Sequence, residues 1–144
     1  LNSNECYMRN AALVALQEIS QAESQKAAMQ LLDDKALVVR SAAVDALGSD
    51  LSANMRDRLW EELHASYNFR KKESLWVRGQ IASKLALSPE KEELSQFVAM
   101  LKENDSRLHA PSIAALEKIT GQIKGSAKAS TDQRRHLWLK WAQN

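Results

Sequence analysis

Cysteine occurs once, at Cys6, so no internal disulfide can form and a cysteine-based metal site has too few ligands. Proline occurs twice and glycine four times in 144 residues, which removes the punctuation that turn-rich β folds need. No apolar run reaches the roughly 18 residues that span a bilayer. The opening LNSNECYMRN also lacks the apolar core of a signal peptide. The balance of 20 Lys and Arg against 18 Asp and Glu leaves a net charge of +2, too small to imply nucleic acid by itself. The chain does not begin with Met, which leaves open that it is a processed form or a piece of a longer protein.

What is present is Ala, Leu, Glu, Lys, Gln and Arg, all good helix formers, in proportions that predict an all-α protein of one domain, residues 1–144. A repeat runs through it. VVRSAAVDAL (38–47) aligns with YMRNAALVAL (7–16), WVRGQIASKL (76–85) and RLHAPSIAAL (107–116). The rung positions Arg9, Arg40, Arg78 and His109 are 31, 38 and 31 residues apart, a period typical of helical hairpins. Each copy reads as an amphipathic helix, with Val39, Ala43, Ala46 and Leu47 in one, and Met8, Ala12, Ala15 and Leu16 in another, at helical spacing. Helical patterns at 22–33, 53–69 and 90–103 supply the partner helices, and no strand pattern competes.

Boundary signals agree with this division. Ser20 with Glu23 and Ser130 with Gln133 have capping-box spacing, and Ser88-Pro89-Glu90 reads as a cap, a first-turn proline and an early acid. Gly48 and Gly121 suit the left-handed residue that closes a helix. Pro111 is tolerable only in a first turn, which starts the fourth helix near Leu108. The Gly-, Ser- and Lys-rich stretch 122–130 is expected to be a mobile loop.

The acid, turn, VVR and small-apolar pattern resembles HEAT repeats, particularly the short bacterial type also found in phycobilisome lyase subunits. The resemblance implies a right-handed α-α superhelix, a solenoid of about four helical hairpins. It implies a ladder of bonds between repeats, with Asp34 and Arg40 as one rung and Arg9 and Arg78 at equivalent positions. His109 departs from the pattern, and Lys72 aligns with Asp34, so Arg78 is expected to be freer to meet a partner. An ITG-then-W-x-x-W ending is similar to that of other bacterial HEAT-like proteins. On that likeness 131–144 is a capping helix, with Leu137, Trp138 and Trp141 covering the end of the stack.

On the second helices, the positions one and five beyond the rung are expected to line a concave face: Asn10, Val14, Ser41, Asp45, Gly79, Ser83, Ala110 and Ala114. That row is small and nearly neutral, which suits a peptide or helix more than phosphate. The irregular third copy carries Arg56, Arg58, Trp60, His64, Tyr67, Phe69, Arg70, Lys71 and Lys72, where cations beside aromatics offer a second binding surface. Trp60 and Tyr67 also read as core, and Trp76 as packing on that longer segment.

No catalytic, cofactor or metal constellation is evident. His64, His109 and His136 are unpaired, there is no G-x-S-x-G or phosphate loop, and the acidic runs read as helix surface. The resulting expectation is a non-catalytic protein-interaction scaffold that is monomeric, soluble and cytoplasmic, binds no membrane and uses no cofactor; a periplasmic location stays open. The partner-binding residues would be Ser41, Asp45, Gly79, Ser83, Arg78, Arg70, Lys71 and Lys72. The alternatives are a nucleic-acid-binding module using the 56–72 region, and a structural spacer or regulatory segment within a larger protein.

Overall fold

The computed structural model describes residues 3–144, with side chains from residue 5 onward. Among the described residues it has eight α-helices: α1 (Ser3–Ile19), α2 (Gln21–Leu31), α3 (Leu37–Ala46), α4 (Ala53–Leu63), α5 (Trp76–Ala86), α6 (Leu94–Lys102), α7 (His109–Thr120) and α8 (Thr131–Ala142). The four repeat copies fall on α1, α3, α5 and α7, and the intervening patterns on α2, α4 and α6, except that the helix expected over 53–69 stops at Leu63. The chain divides into two compact units, Leu1–Ile81 and Ala82–Asn144, with the division inside α5.

In the first unit α1, α2 and α3 pack on one another. Val39, Ala43 and Ala46 of α3 and its C-cap Leu47 are buried, as the stripe at i, i+4, i+7 and i+8 requires. Ala28 and Leu32 come from the α2 segment, and Arg56, Leu59, Trp60 and Leu63 form the inner stripe of α4. Ser20 and Ser52 accept hydrogen bonds from the main-chain N–H groups of Glu23 and Met55, capping α2 and α4. Gly48 closes α3 at φ +73°, where a side chain would be strained.

The first copy departs from its expected burial. Leu13 is buried, but Met8 is 70% exposed, and Ala12 and Ala15 are exposed. The stripe is the same as in α3, but on α1 only Leu16 of it is half-buried.

In the second unit α6, α7 and α8 pack pairwise, with Phe97, Leu101, Ile113, Leu116 and Trp138 among the buried side chains. The start of the sixth helix is later than Ser88-Pro89-Glu90 suggests. Glu90 is the cap, forming a reciprocal capping box with Glu93 around a 3-10 turn, Lys91–Glu93, that leads into α6. His109 begins α7 with Pro111 in its first turn, and Gly121 ends it in the left-handed conformation. Ser130 and Gln133 form the capping box of α8.

The stretch 122–130 is tied down, contrary to its composition. Arg134 donates from Nη1 to the Lys124 carbonyl (3.0 Å) and from Nη2 to the Ser126 carbonyl (2.8 Å). The Lys124 ammonium lies 5.4 Å and 5.6 Å from the ring centres of Trp138 and Trp141, which meet edge to face at 5.1 Å. Of the three apolar side chains expected to cover this end, Trp138 is buried, Trp141 half-buried and Leu137 exposed.

Candidate partner-binding surface

Between α4 and α5 the chain does something that helical periodicity does not announce. After Leu63 a 3-10 turn, Ser66–Asn68, leads into a short antiparallel ribbon of β1 (Phe69–Arg70) and β2 (Glu73–Ser74), with Arg70 opposite Glu73 and Phe69 opposite Ser74. The two linking residues, Lys71 and Lys72, both have positive φ, at 52° and 69°. That is the signature of a type I′ hairpin turn, which normally recruits Asn-Gly. Holding a non-glycine residue in this region costs about 1–3 kcal/mol.

Two buried arginines hold the base of this hairpin. Arg40 on α3 donates from Nε to Asn68 Oδ1 (2.9 Å) and from Nη2 to the Tyr67 carbonyl (3.0 Å). Its Nη1 donates to the carbonyls of Asp34 (2.8 Å) and Lys35 (3.3 Å), so one guanidinium ties two successive turns together. The Tyr67 ring lies 5.2 Å from the same group. Arg78 on α5 donates from Nε to the Leu63 carbonyl (2.6 Å) and from Nη1 to Ser74 Oγ (3.0 Å), with its guanidinium 4.3 Å from the centre of the Phe69 ring. The Leu75 N–H completes the closure on the Asn68 carbonyl (3.0 Å).

The rungs therefore differ from the expected pairing. The carboxylate of Asp34 is taken by Arg9 of the preceding copy in a two-pronged ion pair, Nε to Oδ2 at 2.7 Å and Nη2 to Oδ1 at 2.8 Å, and it also accepts the Ala36 N–H. Arg40 meets Asp34 only through the main-chain carbonyl. Burial raises the pKa of Asp34, but the hydrogen bonds from Arg9 and Ala36, with the charges of Arg9 and Arg40, hold it below the usual carboxylate value. In the third copy the residue answering Asp34 is Asn68, not Lys72, whose alignment is displaced by the hairpin. Asn68 is buried and donates from Nδ2 to the Glu62 carbonyl (2.7 Å), a bond no carboxylate could make. In the fourth copy His109 Nε2 lies 2.7 Å from the Glu103 carbonyl.

The expected partner-binding residues are placed unequally. Arg78 is 1% exposed and fully engaged in the fold, so it is not free to meet a partner. Gly79 is also buried, and with no side chain it offers only helix backbone. Asp45 and Ser83 are exposed and Ser41 half-buried. The Gln80 amide donates to the Ser41 carbonyl (2.9 Å) and to Asp45 Oδ1 (2.7 Å), linking α5 to α3 within the first unit.

The broader basic surface also contracts. Arg56 is buried, and Arg58 is paired with Glu62 (2.9 Å) and Asp33 (3.7 Å). Trp60 is core, whereas Tyr67 is 40% exposed, with its hydroxyl donating to Glu62 Oε2. Burial, the hydrogen bond to Glu62 and the negative charge there raise the Tyr67 pKa well above its ordinary value, keeping the phenol protonated. Trp76, expected to pack on this longer segment, is 45% exposed, and it is Phe69 that lies over Arg78. Arg70, Lys71 and Lys72 remain exposed at the hairpin tip and make no ion pair among the described residues. Beside them is an open recess of about 330 Å³ lined by Arg70, Lys71, Glu73, Ser74 and Leu75.

Among the described residues, no three His, Cys, Asp or Glu side chains are grouped to hold a metal ion, and no helix is long and apolar enough to cross a membrane. No known protein family, curated protein or solved structure matches the chain.

Proposed function

We propose that this chain is a non-catalytic protein-binding scaffold built from HEAT-like helical hairpins. The observation that carries the reading is the repeated bonding of the rung side chains: Arg9 reaches the turn before α3, and Arg40 bridges that turn to the one before α5. Such register-locking bonds between successive hairpins support a stacked repeat arrangement, and with it a right-handed superhelix that presents its second helices as a binding face. Of the small-residue row expected on α3 and α5, Asp45 and Ser83 are the exposed side chains. They are small and carry little net charge, which suits an extended segment or helix of another protein.

The test is site-specific photocrosslinking in a lysate of the source cells. A photoreactive residue at Asp45 or Ser83 is expected to capture a defined protein, while the same group at Gln30 of α2 or Glu61 of α4, both exposed, captures none. Equal capture at all four positions, or at none, contradicts the assignment. Binding of nucleic acid through the 56–72 region is less supported, because its cations reduce to the three at the hairpin tip.

A further inference from the structure

We infer that the hairpin tip, Arg70-Lys71-Lys72, is the docking point for a short acidic segment of the partner protein; this rests on the protein-binding reading above. Three observations converge on the tip. The first is the use of charge in the Leu1–Ile81 unit. Of its other arginines, Arg9 and Arg58 are ion-paired, while Arg40, Arg56 and Arg78 are buried. Only Arg70 among the six is exposed, and it stands next to two exposed lysines. The second is rigidity. The ribbon's base is fixed by Arg40 through Asn68 and by Arg78 through Ser74 and Phe69, so the backbone that carries the three cations is held in place.

The third is backbone strain. Asn-Gly would make the turn without penalty, whereas two lysines are held in the left-handed region. Strain retained at an exposed position, where packing cannot require the side chains, is explained by what those side chains contact.

The chemistry favours a short acidic stretch over a nucleic-acid backbone. Residues 1–81 contain 10 Lys and Arg and 11 Asp and Glu, a net charge of −1, or −4 without the three tip cations. A duplex carries a phosphate charge about every 1.7 Å along its axis and calls for a longer run of cations than these three side chains supply. Two or three carboxylates match the tip and stop there. Glu73 in the adjoining recess opposes further negative charge, while Leu75 offers an apolar surface for the aliphatic neighbour of an acidic residue.

The experiment is fluorescence anisotropy with the full chain, using a labelled peptide of alternating Asp and Gly and, separately, a labelled DNA duplex. The chain is expected to bind the peptide with an affinity that falls as salt rises. The double variant Lys71→Asn/Lys72→Gly is expected to bind it about tenfold more weakly or worse, while melting about 3–6 °C higher because the turn is relaxed. Arg70→Gln, which leaves the turn unchanged, weakens binding in the same direction. A chain that does not bind the peptide at low salt, or whose relaxed variant and Arg70→Gln bind it as tightly as the parent, overturns the assignment. Tighter binding of the duplex than of the peptide also overturns it and transfers the tip to nucleic acid. Capture of a protein at Asp45 and Ser83 without peptide binding would remove the tip assignment alone; peptide binding without such capture would remove the assigned face alone.

Discussion

The turn between α2 and α3 and the connection between α4 and α5 both hang on Arg40, yet they are built differently. In the first, Asp34 uses its carboxylate on Arg9 and on the Ala36 N–H, and the chain passes directly into the next helix. In the second, a neutral Asn68 stands at the rung, and the chain extends into a ribbon whose tip carries three cations without an ion pair among the described residues. The closed turn uses its charge internally. The extended one replaces the rung charge with an amide and leaves its charges at the surface, so a structural device and a binding device share one set of anchoring arginines.

The largest expected effect comes from removing the common anchor. Arg40→Ala leaves the carbonyls of Asp34 and Tyr67 and the amide of Asn68 without their donor. It is expected to cost about 3 kcal/mol or more in denaturant unfolding, because each buried acceptor left unsatisfied costs about 1–3 kcal/mol. Asp34→Ala should cost less, about 1–3 kcal/mol, because Arg9 is partly exposed and can regain water. Its pH dependence has a definite sign. The folded-state pKa of Asp34 is depressed, so the stabilisation from its charge is complete above its unfolded pKa and fades as pH falls through the folded value. The stability gap between the parent and Asp34→Asn is therefore expected to narrow in acid; a constant gap would contradict the role given to the Asp34 charge.

Asn68→Asp sharpens the comparison between the turns. The carboxylate would gain the charge of Arg40 but lose the donor to the Glu62 carbonyl and face that oxygen with a negative charge. A net loss of about 1 kcal/mol is expected, whereas a gain would mean the second turn accepts an acid as readily as the first. Tyr67→Phe removes only the hydroxyl bond to Glu62 and should cost about 0.5–1 kcal/mol, leaving the turn itself in place.

The helices of these repeats were legible because their signal is periodic and local. Val39, Ala43, Ala46 and Leu47 lie on one face whatever surrounds them, and the glycine that follows suits the left-handed residue that ends a helix. Burial was legible only where a neighbour exists: Met8 repeats Val39 in sequence but has nothing packed over it among the described residues. The hairpin was hidden because strands of two residues show no alternation and its turn uses lysines where Asn-Gly would have announced it. The longer spacing between Arg40 and Arg78 was the available signal of an insertion, yet it does not reveal which residue takes the rung, and alignment therefore placed Lys72 where Asn68 stands. Gly79 and Arg78 shared a pattern with exposed neighbours on α5, but one lacks a side chain to reach outward and the other turns inward beneath Phe69.

Asn68 is the rung that joins the hairpin to α3 through Arg40. A double-mutant cycle with Arg40→Met and Asn68→Ala, read by denaturant unfolding, tests it most directly. A coupling of about 1 kcal/mol or more between the two sites is expected, and additivity within about 0.3–0.5 kcal/mol would show that Asn68 is not held by Arg40.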